Sequence, residues 1–221
     1  GIKDIGSGYL VLRDISCVGS DGKVFEHYDE LRVAKDIVRG PDGNQINFTL
    51  YNGAAYFEKQ RMFLPSIALS CNILKTLYDN KDDSEVNKVL MQYKNKCNGY
   101  GWHAQNTLVD WGNKKIIHYP SDKDFPEHGG SNNINQAKDR KEIGFNTKGF
   151  KYMLLEKALK TDNFKVFVQD LTGLQQPEIL IDIGKHFNKP AYFWALSSNE
   201  VRAAWLGCSD SGLNINACNI L

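Results

Sequence analysis

The 221-residue chain lacks most of the features that announce a protein's partners outright. Neither charge is in excess: 27 lysines and arginines stand against 26 aspartates and glutamates, so no bulk attraction to nucleic acid or an anionic membrane is expected. No apolar run approaches the length of a membrane span, and no charged-then-apolar leader is found. Five cysteines, an odd number without a CxxC pair, fit neither a disulfide framework nor a zinc ribbon. Gly6-Ser7-Gly8 lacks the lysine and the strand-to-helix setting of a phosphate loop. No Ser/His/Asp spacing supports a nucleophilic triad. The lysine-rich segments 74–96 and 138–160 alternate with acids, as solvated helix faces do.

What is present is the pattern of one α+β domain over 1–221. Gly8 to Cys17 reads as a strand, turned at Gly19–Gly22 so that Lys23 to Tyr28 can return antiparallel to it. Pro41-Asp42-Gly43-Asn44 is a turn, and Ile46 to Leu50 alternates as a strand does. Ser66 can cap a helix with Ile67, Cys71, Leu74 and Tyr78 on one face, and a second helix starts near Ser84 with Val86, Val89, Leu90 and Tyr93 inward. Cys71, a small thiol on an apolar stripe, reads as core. Thr107–Trp111 and Lys115–Tyr119 suggest a hairpin. The polar stretch 120–140 is long for a loop, so an insertion is expected within approximately 97–190. Thr147 can cap a third helix with Phe150, Met153, Leu154 and Ala158 turned inward, Lys165 to Asp170 reads as a strand or extended segment, and Pro177 suits the first turn of a fourth helix. Ala191 to Leu196 and Val201 to Leu206 read as strands. Asn47-Phe48-Thr49 is a glycosylation sequon, meaningful only for a chain exported by a eukaryote.

The C-terminal residues are the most distinctive. Between Leu206 and Leu221 there is no Lys, Glu, Gln or Met in a chain otherwise well supplied with lysine and glutamate. Leu213, Ile215 and Ala217 alternate with Asn214, Asn216 and Cys218, the period of a half-buried strand. Asparagine is a poor strand former, yet it recurs here at alternate positions. A polar turn and a weak edge strand would share this composition. Gly, Cys, Ser, Asp and Asn are, however, all reachable from an asparagine codon by changing only its adenines.

The segment SSNEVRAAWLGCSDSGLNINACN (197–219) resembles the variable region of proteins diversified by retroelements, in which adenine-specific mutagenesis rewrites selected codons. Arg61-Met62-Phe63-Leu64-Pro65-Ser66 is similar to the Arg-Leu-Pro-Thr lead-in to a helix in the formylglycine-generating-enzyme branch of the C-type lectin fold. The resemblance implies that fold, with helices packed on small antiparallel sheets, the first strand pairing with the last elements, and a role in binding rather than catalysis. The Gly-Val-Arg strand that closes the family's sheet has no counterpart in these residues. The implied variable, ligand-binding positions are Gly207, Cys208, Ser209, Asp210, Ser211, Asn214, Asn216, Cys218 and Asn219. Arg202, Trp205, Leu213, Ile215 and Ala217 would be fixed scaffold, with Trp205 and Leu213 anchoring the surface from behind. Trp205 cannot arise by adenine replacement in an asparagine codon, which puts it on the fixed side. The ligand would be a protein or cell-surface molecule, bound by a monomer without cofactor, metal, nucleic acid or membrane insertion. Bulkier residues at Asn214 and Asn216 would then change ligand choice and leave the melting temperature almost unaltered.

The enzymatic rival lies in the middle: Cys97, His103, Asp110, His118, Asp124 and His128 offer a metal site or a thiolate beside a base, centred on Cys97 and His103. Their spacing matches no metal signature, and scattered histidines more often satisfy ordinary hydrogen bonds. Cys208 and Cys218 could form a copper-binding or redox pair as in formylglycine-generating enzymes. As mutagenesis targets they would instead be chance draws, which also accounts for Asn214, Asn216 and Asn219.

Overall fold

A computed structural model describes the chain apart from residues 1, 5, 7, 47, 49, 95–101, 126–137, 147–150, 196–197, 210 and 220–221; for residues 4, 102–104, 218 and 219 only the backbone is described. Among the described residues, two sheets and six α-helices make up an α+β fold. Strands β1 (Ile2–Asp4), β2 (Tyr9–Val18) and β3 (Val24–Ala34) form an antiparallel three-stranded sheet. Helices α1 (Leu50–Lys59), α2 (Ile67–Asp79) and α3 (Ser84–Lys94) follow. Then come β4 (Trp102–Asp110), β5 (Lys115–His118), β6 (Lys141–Gly144) and the short β7 (Met153–Leu154). Helices α4 (Leu155–Ala158), α5 (Asp162–Thr172) and α6 (Ile179–His186) lead into β8 (Ala191–Trp194), β9 (Val201–Cys208) and β10 (Leu213–Asn219).

The second sheet has seven strands in the order β6-β5-β4-β9-β10-β8-β7, and only the β10–β8 pairing is parallel. Strands from 97–190, where an insertion was expected, thus lie in the same sheet as the terminal strands. The first strands pair among themselves, not with the last ones as the lectin resemblance implied. β10 is flanked by β9 and β8, so it is not an edge strand.

Helix α2 organises the interior. Its Ser66 cap accepts a 3.1 Å hydrogen bond from the Leu69 amide, satisfying a first-turn donor. From Ile67 to Leu74 every residue is buried, as expected of a helix enclosed on all sides. It packs on β2, β4, β9, α3, α5 and α6, and the main core runs along it. Asn72 ties this helix to its surroundings: its Nδ2 donates to Ala68 O at 2.9 Å and Gly173 O at 3.0 Å. Gly173 ends α5 with φ 61, and an added Cβ would lie 2.9 Å from the Cβ of Cys17.

Three local expectations give way. Lys165 to Asp170 is helical: Phe164, Phe167, Val168 and Leu171 recur at helical spacing against the core, a period that six residues are too few to reveal. Of the alternation from Ile46, the described Ile46 and Phe48 lie in no strand and Leu50 opens α1, whose Leu50, Tyr51 and Ala54 pack on the large sheet. The third helix is a single turn, α4, preceded by the β7 pair rather than running from Thr147, which lies outside the described residues with Phe150. The sequon also falls outside them at Asn47 and Thr49.

Candidate binding surface

The β9–β10 hairpin turns through Ser209 to Gly212, where Ser209 N donates to Gly212 O at 2.9 Å. Gly212 has φ 151, and a Cβ there would sit 2.3 Å from Pro190 O, so the backbone admits glycine alone. The Ser209 and Ser211 hydroxyls lie 2.6 Å apart. Asn214 Nδ2 donates to Gly212 O at 2.7 Å and to Ser209 Oγ at 3.1 Å. Asparagine therefore appears in this strand for the reason it is usually found in turns: its amide completes one.

Register assigns the faces. Asn214 is paired with Gly207 and Tyr192, and Asn216 with Trp205 and Trp194. Directly opposed residues share a face, so these six lie together on one side of the sheet. Leu213, Ile215 and Ala217 point the other way, into the main core with Ala204, Leu206 and Cys208. The alternation of the tail is as the sequence reads, but its exposure is not. Asn214 and Asn216 are each 1 % exposed, and Gly207 and Cys208 are buried inside β9 rather than displayed on a loop. Their cross-strand neighbours on that face include the large rings of Tyr192, Trp194 and Trp205. Trp205, expected behind the surface, shares the face of Asn216. Of the implied variable positions, Ser209 is half-buried and Ser211 exposed; Asp210 and the side chains of Cys218 and Asn219 lie outside the description. Arg202 is half-buried and paired with Glu200.

The face these residues share is covered unequally. Beside Leu108, Ile117 and Ala203, on β4, β5 and β9, it is roofed by Leu50, Tyr51 and Ala54 of α1 and by Phe125, with Trp205 at the margin. On the β8 side it reaches solvent. Tyr152 stacks on Tyr192 with ring centroids 4.6 Å apart and meets Trp194 edge-on at 5.3 Å. Tyr152 is 42 % and Trp194 40 % exposed, and Leu154 beside them is exposed too. Partial burial and then the neighbouring Tyr192 push the Tyr152 phenol above its ordinary value, while a hydrogen bond with Ser211 opposes them. Aromatic rings and turn hydroxyls are thereby joined in one patch, which no sequence period could have assembled from residues 152, 192, 194 and 211.

On the other side of Trp205 lies a groove of about 1050 Å³, between β3, α1 and the 61–65 segment. The Arg61–Ser66 lead-in is clamped there by the irregular middle of β4: Asn106 N donates to Pro65 O at 2.8 Å, Asn106 Nδ2 to Leu64 O at 3.2 Å, and Ile67 N to Thr107 Oγ1 at 3.0 Å.

The rival centre does not assemble among the described residues. Cys97 and His128 are outside them, as is the side chain of His103, whose backbone pairs with Leu206. Asp110 caps the hairpin turn through Asn113, and Asp124 accepts two 2.8 Å bonds from Arg140. His118 is fully buried: its Nδ1 lies 2.9 Å from Thr107 Oγ1 and its Nε2 3.3 Å from Asp170 O, and it stacks on Phe25. The Asp170 carbonyl can only accept, so the neutral ring carries its proton on Nε2, and Nδ1 accepts from the Thr107 hydroxyl. Burial lowers the His118 pKa to about 4, so the neutral tautomer is held. No group of three or more His, Cys, Asp or Glu poised for a metal occurs among the described residues. Cys17, Cys71 and Cys208 are buried. No helix among the described residues is long and apolar enough to cross a membrane.

No family model matches the chain, and neither a curated protein nor a solved structure matches it.

Proposed function

We propose that the protein recognises a protein or cell-surface ligand through the Tyr152–Tyr192–Trp194 patch and the adjoining Ser209–Ser211 turn, and that its role is binding rather than catalysis. The observation that carries this reading is the solvent-facing aromatic cluster, Tyr152 stacked on Tyr192 and edge-on to Trp194, beside the turn hydroxyls on a sheet whose other face is core. Rigid aromatic side chains give much contact area for little lost conformational freedom, and small hydroxyls adapt their hydrogen bonds. The framework supports variation because both strands of the hairpin are buried and paired up to the turn.

The retroelement resemblance fits this reading in a narrowed form. Diversification would act through Ser209, Asp210 and Ser211, whereas Asn214 and Asn216 would be held by their packing. A phage library randomised at 209–211 and Trp194, panned against hen lysozyme, should yield binders that melt within a few degrees of the parent. A parallel library at Asn214 and Asn216 should yield few folded members. Failure of the first library to give any folded binder would sink the proposal. A near-copy of the 3′ coding end, differing only at adenines beside a reverse transcriptase, would test the diversification itself.

A further inference from the structure

The groove between β3 and the 61–65 segment holds a feature that the terminal patch does not use. Lys138 Nζ lies 4.4 Å from the ring centroid of Tyr28 and 4.5 Å from that of Phe63, and the two rings stack 6.1 Å apart. Behind them the Glu26 carboxylate accepts from Tyr28 Oη at 2.6 Å and from Tyr119 Oη at 2.5 Å. Its charge acts on the Lys138 ammonium. Tyr119 is held in the left-handed region at φ 54, a conformation unfavourable for an aromatic residue. Its amide bond to Asn106 O and its phenol bond to Glu26 fix it there.

Aromatic faces backed by a carboxylate attract an alkylammonium by ring quadrupole and by net charge. Here the cation comes from the chain itself, on a flexible side chain. The groove extending from it is mostly apolar, with Val33, Ile46, Phe57 and Leu64 on its walls. We infer that the Tyr28–Phe63–Glu26 box is an ammonium-recognition subsite, that the groove takes a ligand with a cationic head and an apolar body, and that Lys138 fills the head position in cis until such a ligand displaces it. This site is separate from the terminal patch, and its failure would leave the reading of that patch untouched.

Binding of n-hexylammonium, 1-hexanol and hexanoate, measured by calorimetry and by Trp205 fluorescence on the full chain, tests the inference. Lys138→Met removes the internal competitor and should tighten hexylammonium about tenfold, because less of the protein is then in the closed state. Phe63→Leu in the Lys138→Met background should reverse that gain. Hexanol and hexanoate should bind both proteins weakly and about equally. The inference is overturned if Lys138→Met, folded as judged by its melting curve, binds hexylammonium no better than the wild type does, or binds hexanol or hexanoate as tightly. Binding that persists undiminished in the Phe63→Leu double variant overturns it as well.

Discussion

Ile215 and Asn214 are neighbours in β10 and almost equally hidden from water, yet they are hidden in different ways. Ile215 is enclosed by the aliphatic core between the sheet and the helices. Asn214 lies on the opposite face beside Tyr192, and its amide is spent on the turn that precedes it. The first kind of burial is non-directional and scales with apolar area. The second holds only while particular donors meet particular acceptors. A position with no exposed surface can therefore be chemically polar and still fixed, and on this hairpin open space lies on the Ser211 side of Gly212 rather than beside every polar residue of the tail.

The strongest test of the contrast is on the apolar face. Ile215→Ala removes a fully buried side chain from close-packed surroundings and should cost about 2–5 kcal/mol in urea unfolding, with an unchanged m-value. A loss under 1 kcal/mol would mean that the core face of β10 is not the strut on which the outer patch rests.

The core face also carries a buried histidine, so it is not uniformly apolar. His118 neutral bridges Thr107 and the Asp170 carbonyl. Its pKa falls from the ordinary 6.5 to about 4 on folding because burial disfavours the cation. Between those values the unfolded chain takes up a proton that the folded chain refuses, so stability drops as pH is lowered from 6.5 towards 4. The whole window is worth about 3 kcal/mol, and above pH 7 this group contributes no further slope. NMR titration of the His118 ring in the folded protein should show it still neutral at pH 5.5. A midpoint near 6.5 would remove the argument.

How far the chain could be read before folding depended on whether the signal was local. Ser66 with its apolar stripe, the β4–β5 turn and the alternation of Leu213 with Asn214 are all written within a few residues, and each is found in the structure. The α+β class follows from such pieces. Exposure was not legible in the same way, because it depends on which strands flank β10 and on the size of Trp194 and Trp205. Nor was the aromatic patch, which brings residues of β8 beside Tyr152, some forty residues earlier in the chain. Helix α5 is hidden in its own residues because Val166, Phe167 and Val168 look like a strand until Phe164 and Leu171 are counted with them.

The smallest expected effect falls on the outer face and is the most informative. Asn214→Ala withdraws the donor from Gly212 O and from Ser209 Oγ while leaving the strand ladder in place. Gly212 itself cannot be replaced to restore the lost contact, since a Cβ there would lie 2.3 Å from Pro190 O. The expected cost is about 1–3 kcal/mol by urea unfolding, against less than about 0.5 kcal/mol for Ser211→Ala on the exposed side of the same turn. Equal, negligible losses at both positions would mean that the amide is merely tolerated under the aromatics. The tail would then be interchangeable along its whole polar face, as its resemblance to a diversified region implies, and the boundary drawn at Gly212 would disappear.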